Sequence, residues 1–309
     1  MIDATPKTKF SGHETFFIRK GWLAKGLRAV IEKDDIFVDR ANNPMDELGI
    51  GSNMVKSLRF WLQAVGLTQE PKSGRRVQYL TELGLLVAEY DMYCEEIATL
   101  WALHYRLATN RELATSWYYF FNEFAMKSFS LDDFTRGLES YVQNILGVAP
   151  PAASSIAKDF NCILGTYIPR DRIQPGRVSP ENNIDCPLGE LELIGVDSLK
   201  AKTYRKRMPN PSLFPPLVCM FAILSYRDGF RSGNVNSNTN ALTLEELLNE
   251  PGSPGRVFNL DSLALLEILR RLETFGYIRV IRTAGLDEVR IDTGMTANDC
   301  MKLYYEEMR

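Results

Sequence analysis

Residues Asn43 to Leu80 read NPMDELGIGSNMVKSLRFWLQAVGLTQEPKSGRRVQYL, in order a short helix, a glycine turn, a longer helix and a basic hairpin. Gly49 and Gly51 bracket the turn, and Ser52 is placed to cap the next helix by accepting a bond from a free backbone N–H. Val55, Leu58, Leu62 and Val65 then recur on one helical face, with Trp61 beside them. The opposite face carries Asn53, Lys56 and Gln63, with Phe60 among them and Arg59 on the flank. After Gly66 the pattern alternates, turns at Pro71-Lys72-Ser73-Gly74 and returns through Arg75-Arg76-Val77-Gln78-Tyr79. This is the sequence form of a winged helix-turn-helix. From Gly51 to Leu80 five cations (Lys56, Arg59, Lys72, Arg75, Arg76) face one acid, Glu70. Asn, Lys, Arg and Gln on an exposed helix can meet base edges while a basic wing neutralises phosphates. The competing reading is a solvated surface or a protein-binding winged helix.

The whole chain is not basic. At 309 residues with a formal net charge of −3, 45% apolar and 24% charged, it has the composition of a soluble globular protein of two or three domains. Any DNA contact must therefore be local. No apolar run approaches a membrane span, and the N-terminus lacks a signal-peptide pattern. Five widely spaced cysteines without a CxxC pair predict reduced thiols in a cytoplasmic protein and argue against a zinc site.

Only two histidines occur, His13 and His104. His13 lies in Phe10-Ser11-Gly12-His13-Glu14-Thr15-Phe16, where Ser11 and Glu14 have the spacing of a capping box. It is open to two readings: a capping or packing residue, or a general acid/base. The helix after it is expected to bury Trp22, Leu23, Leu27, Val30 and Ile31, and Arg19 and Lys20 to extend the basic surface. Thr81 opens a helix that closes the first domain near Tyr90. Helices then run to about Leu146, and their aromatics (Trp117, Tyr118, Phe120, Phe121, Phe124) read as a bundle core. His104, Asn122 and Glu123 are either satisfied core groups or the rim of a site.

GVAPPAA (147–153) breaks the pattern before another helix, and 169–187 is irregular. There Asp185, Glu190 and Glu192 offer oxygen ligands suited to a hard divalent cation. Lys200, Lys202, Arg205, Lys206 and Arg207 follow as a run of cations, either a backbone-tracking patch or a solvated linker. From Pro211 the reading is an apolar helix (217–226), a loop (232–240) and a capping box at Thr243 and Glu246. A helix with Leu263, Leu266, Leu269 and Leu272 on one face follows, then a hairpin around Gly285. The expected architecture is mainly α with small β wings: a winged helix-turn-helix domain (1–90), a helical middle domain (91–210) and a winged-helix-like unit (211–309). The last unit, with acids at 261, 267 and 273, reads as a packing or partner-binding module.

FSGHETF, LGIGSNMVKSLRFW, LWALHY, TSWYYFFNEF and NNIDCPLGELELI, in this order from about Phe10 to Ile281, resemble an uncharacterised-domain bacterial family of SspB-like proteins. These are the DNA-nicking components of single-strand DNA phosphorothioation systems. The resemblance implies a protein that binds double-stranded DNA, nicks one strand with Mg²⁺ or Mn²⁺, and works beside a cysteine desulfurase and an ATP-using sulfur-transfer protein. The sequence shows no His-x-Lys, no His-Asn-His and no complete Asp…Glu-x-Lys. If it cuts, carboxylate-held metal chemistry is the consistent route, with Asp185, Glu190 and Glu192 as ligands and His13 as a proton carrier. The alternatives are a non-catalytic DNA-binding or targeting subunit, a transcriptional regulator, or a scaffold. A homodimer is one expected state, since winged-helix proteins often pair.

Overall fold

The computed structural model describes residues 6–39, 43–169, 172, 186–231, 240–283 and 286–308. The chain is mainly helical with small antiparallel sheets, and its contacts group residues 1–206 and 207–309 as two units. The expected division at residue 90 therefore falls inside the first unit, and the second begins at Arg207.

The first unit opens with an irregular segment and then α1 (Trp22–Glu32), α2 (Pro44–Leu48) and α3 (Ser52–Ala64). Local chemistry sets α2: the Asn43 side chain accepts from the Met45 N–H, Pro44 starts the helix, and Gly49 ends it in the left-handed region at φ 61°. The cap of α3 corrects the expectation. Ser52 is already helical, and Gly51 holds the cap position without a side-chain bond. A second correction concerns Phe60, expected among the outward residues but only 4% exposed. Its burial widens the apolar stripe of α3. Helix α1 buries Trp22, Leu23, Leu27 and Val30 as expected, but Ile31 lies off that stripe and is 53% exposed. Where α1 crosses α3, Gly26 lets the backbones approach; a Cβ there would sit 2.7 Å from Leu62 Cδ1.

Strands β1 (Thr68–Gln69) and β2 (Tyr79–Leu80) pair antiparallel, Thr68 opposite Leu80, around a long exposed loop. Thr81 caps α4 (Glu82–Tyr90), accepting from the Gly84 N–H at 3.0 Å. Next come α5 (Ile97–Thr109) and α6 (Thr115–Tyr118), which runs into a π-turn over Tyr119–Glu123. After β3 (Ser128–Phe129), α7 (Leu131–Ser140) runs into another π-turn, Tyr141–Ile145. Helix α8 (Ala153–Tyr167) follows the Pro-rich break.

Phe120, Phe129, Phe134 and Phe160 interlock through edge-to-face and tilted contacts in this core, with centroids 5.2–6.2 Å apart. His104 and Asn122 are satisfied core groups. His104 Nδ1 lies 2.8 Å from the Tyr167 hydroxyl, and the Asn122 amide donates to the carbonyls of Ala108 and Tyr118. Glu123 is exposed.

A 3₁₀ turn (Pro187–Leu191) leads to β4 (Ile194–Ser198) and β5 (Thr203–Lys206), which join β3 in the order β3-β5-β4. The cation run is thus a hairpin, not a linker. Lys206 turns inward and donates to the carbonyls of Phe120 and Phe124, both at 2.6 Å, neutralising the end of the first π-turn.

The second unit contains α9 (Pro216–Gly229), β6 (Ala241–Thr243), α10 (Leu244–Asn249), α11 (Pro254–Val257) and α12 (Ser262–Thr274). Strands β7 (Ile278–Thr283) and β8 (Leu286–Ile291) and the closing helix α13 (Ala297–Glu307) complete it. The sheet order is β6-β8-β7. The capping box at Thr243 and Glu246 is present, with the Glu246 N–H to Thr243 Oγ1 at 3.1 Å and the return bond at 2.7 Å. Helix α12 corrects its expected face: Leu265, Ile268, Leu269 and Leu272 are buried, whereas Leu263 is 76% exposed. Three of the charges on and beside it, Asp261, Glu267 and Arg271, are taken up within the unit. Asp261 caps it, Glu267 accepts from Ser212, and Arg271 Nη1 reaches the carbonyls of Pro211, Ser212 and Phe214 at 2.9–3.2 Å. The turn at 284–285 and the loop 232–239 lie outside the described residues.

All five cysteines lie outside any disulfide and are buried. Burial, then the Asp91 charge, pushes the Cys94 thiol up to about 12, and burial does the same for Cys219. In native protein at pH 8, Cys162, Cys219 and Cys300 are expected to react with a thiol reagent only as it unfolds. Prompt labelling of any of these three in the folded state would contradict this placement. No helix among the described residues is long and apolar enough to cross a membrane.

Candidate nucleic-acid interface and carboxylate cleft

The FSGHETF segment forms no capping box. Ser11, Glu14 and Thr15 take positive φ (55°, 51° and 70°), and no helix starts there. The segment instead wraps onto Asp159 of α8. The Ser11 N–H donates to Asp159 Oδ1 at 2.8 Å, His13 Nε2 lies 2.8 Å from the same oxygen, and the Ser116 hydroxyl donates to Oδ2 at 2.6 Å. The Thr15 N–H donates to His13 Nδ1 at 3.1 Å, so the ring proton sits on Nε2 and points at the carboxylate. His13 and Asp159 are 0% and 1% exposed.

Around that ring pack Trp61 of α3 and Trp117 of α6, with centroids at 6.2 and 5.7 Å. The Trp61 indole N–H donates to the Phe16 carbonyl at 2.8 Å. His13 therefore bolts the N-terminal helices to the middle bundle. With both nitrogens engaged and no exposure, its ring has no path to a substrate proton.

Helix α3 and the hairpin after it form a polar face. Asn53 and Lys56 are exposed on the first turns of α3, and Lys72, Arg75 and Arg76 are exposed on the β1–β2 loop. The two parts are locked together at their base. Arg59 Nε donates to Glu70 Oε1 at 2.7 Å and Arg59 Nη2 to the Arg76 carbonyl at 3.2 Å. Gln63 Nε2 donates to the Arg59 carbonyl and to Glu70 Oε1 (3.1 and 3.0 Å). Gln78, buried, bridges the Arg59 carbonyl and Thr68. Arg59 and Gln63 are thus half-buried and engaged, while Arg75 pairs with Asp35. Glu70, the counter-ion of Arg59, was visible in sequence only as an isolated acid.

Of the three acids expected to bind metal, Asp185 lies outside the described residues. Glu190 and Glu192 line a cleft of about 680 Å³ together with Lys20, Cys94, Glu95 and Cys186. Asp91 shapes one wall by accepting the N–H groups of Glu95 and Glu96 at 2.9 and 3.0 Å. Glu192 sits at φ 50° and pairs with Arg172 at 2.6 Å. Lys20, expected on the basic DNA face, belongs to this cleft, and Arg19 lies over the rings of Phe16 and Trp22. Glu95 carries no sequence signal for the cleft, because only the packing of the α4–α5 loop against the 3₁₀ turn brings it there. Hard cations take oxygen ligands. Among the described residues, however, no three His, Cys, Asp or Glu side chains group closely enough to hold one.

Two solved structures resemble this chain over 99% of its length and 90% of theirs, each at 27% identity and a TM-score of 0.83. One is described as an SspB crystal structure and the other as magnesium ion-bound SspB. No curated protein matches. The model of the family described as "Protein of unknown function (DUF4007)" matches residues 10–305, so nearly the whole chain is accounted for and the protein belongs to that family.

Proposed function

We propose that the chain is the duplex-DNA-binding component of a phosphorothioation-type modification system and nicks one strand for its partners. The observation that carries this is the likeness to SspB over nearly the whole chain. Supporting it locally, Asn53, Lys56, Lys72, Arg75 and Arg76 project from a helix and hairpin joined through Arg59, which we read as a winged helix-turn-helix. In this reading α3 meets base edges in the major groove and the β1–β2 loop neutralises backbone phosphates. The partners are a cysteine desulfurase and an ATP-using sulfur-transfer protein, which act at the opened strand.

Cutting is assigned to the carboxylate cleft, where Glu190 and Glu192 face the same space. A divalent cation bound there with Asp185 would supply charge stabilisation at the scissile phosphate. The described residues alone make no closed ligand set. A second reading, a DNA-binding or targeting subunit that does not cut, draws on the exposed cations of α3 and the β1–β2 loop alone.

Supercoiled plasmid incubated with the protein and Mg²⁺, Mn²⁺ or EDTA separates the two. Metal-dependent open circles support the nickase. A salt-sensitive mobility shift without nicking supports the targeting subunit, and the absence of both results removes the DNA reading. For binding, the combined Lys56→Ala, Lys72→Ala and Arg76→Ala variant should lose roughly 10²-fold in duplex affinity near 0.1 M salt and flatten the log–log salt slope by about 3. Anisotropy titrations at several salt concentrations measure both. An unchanged slope would remove α3 and its hairpin as the contact surface.

A further inference from the structure

The helix–hairpin lock contains more donors than a lock needs. Glu70 sits half-buried at the base of the β1–β2 loop with its side chain 10% exposed. Oε1 accepts from Arg59 and Gln63 and lies 3.4 Å from Gln78 Nε2, while Arg76 Nη1 stands 3.9 Å from Oε2. A further cation reaches this place from the N-terminal segment. Lys9 Nζ lies 5.2 Å over the Phe60 ring, and Gly12, having no side chain, lets that ring and the lysine stem close over it. Lys9 thus lies beside Phe60, the neighbour of Arg59 on α3; partial burial lowers its pKa, Glu70 opposes this, and Arg59 and Arg76 lower it further. Guanidinium groups receive carboxylate and phosphate oxygens alike.

We propose that Lys9, Arg59 and Arg76 form a phosphate-binding cradle in which the Glu70 carboxylate sits as a built-in competitor. The proposal rests on the DNA-binding reading above and adds to it a contact residue, Lys9, and a residue that restrains binding, Glu70. Arg76, with its side chain 73% exposed, and the exposed Lys9 form the open side from which a backbone phosphate enters. Arg59, 25% exposed, forms the floor. Glu70 weakens attraction to phosphate on DNA of any sequence, so stable binding then depends more on the base contacts of α3. It acts through Arg59 and Arg76 and is a positioning residue.

Glu70→Gln keeps the oxygen that receives Arg59 and removes the charge. In anisotropy titrations at 50–200 mM salt, it should bind duplex DNA about fivefold tighter at 100 mM, with a salt slope steeper by about 1, on all sequences alike. Adding Lys9→Ala should cancel most of the gain. Equal or weaker binding by Glu70→Gln with an unchanged melting transition would overturn the proposal. Lys9→Ala alone, at an exposed position, should weaken binding about threefold, and no change there would overturn it even if Glu70→Gln destabilises the fold. Retention on heparin, which requires no base contact, scores the cradle separately. A wild-type protein blind to duplex DNA whose Glu70→Gln variant gains heparin retention would keep the anion cradle and remove the DNA reading.

Discussion

Replacing Asp159 with alanine is expected to lower the stability of residues 1–206 by about 3–5 kcal/mol, a large part of what a domain possesses. The carboxylate receives the Ser11 N–H, the His13 ring N–H and the Ser116 hydroxyl, all inside the protein. Alanine leaves those donors buried without an acceptor, and each orphaned group costs its desolvation penalty. It also removes the anion that orients His13 between Trp61 and Trp117. Asp159→Asn should cost less, since its carbonyl oxygen can still receive Ser11 and His13 and the Ser116 hydroxyl can rotate to accept. Tryptophan fluorescence in a urea titration is well suited to the test, because Trp22, Trp61, Trp101 and Trp117 all belong to the first unit. A loss below about 1 kcal/mol for the alanine variant would mean that the FSGHETF segment is not the bolt described above.

The second large effect is expected at Glu190. If the chain nicks DNA, Glu190→Ala should slow nicking by at least about 10²-fold, the scale of losing one charge-stabilising group at a reacting centre, while duplex affinity stays within about twofold. The separation follows from placement. Glu190 lies on the 3₁₀ turn facing the cleft, whereas the cations assigned to binding lie on α3 and the β1–β2 loop. Rates of open-circle formation and anisotropy titrations on the same preparation give both numbers. Full nicking by Glu190→Ala would take the cleft out of the chemistry. A parallel loss of binding would place Glu190 on the DNA surface instead.

Sequence by itself determined the features that close within a few residues. The Asn43, Thr81 and Thr243 caps, the left-handed Gly49 and the helical stretch 52–64 each depend on a hydrogen bond or a side-chain period spanning a turn or two. The aromatic run after Trp117 was legible as core because rings of that size are rarely left in water. Tertiary structure alone decided the rest. His13 meets Asp159 across 146 residues, a pairing that no spacing rule encodes. Phe60 was expected outside because the main stripe of α3 leaves it off; Gly12 and His13, brought from another segment, cover it. Lys206 looked like part of a basic patch until the π-turn offered its free carbonyls. Glu70 and Arg59 are close in sequence, yet whether that acid dilutes a basic face or sits within it is set by where the hairpin folds back. Local patterns fix which elements form, because their bonds are short in sequence. Which charges remain free to meet a ligand is fixed only when distant elements pack and neutralise one another.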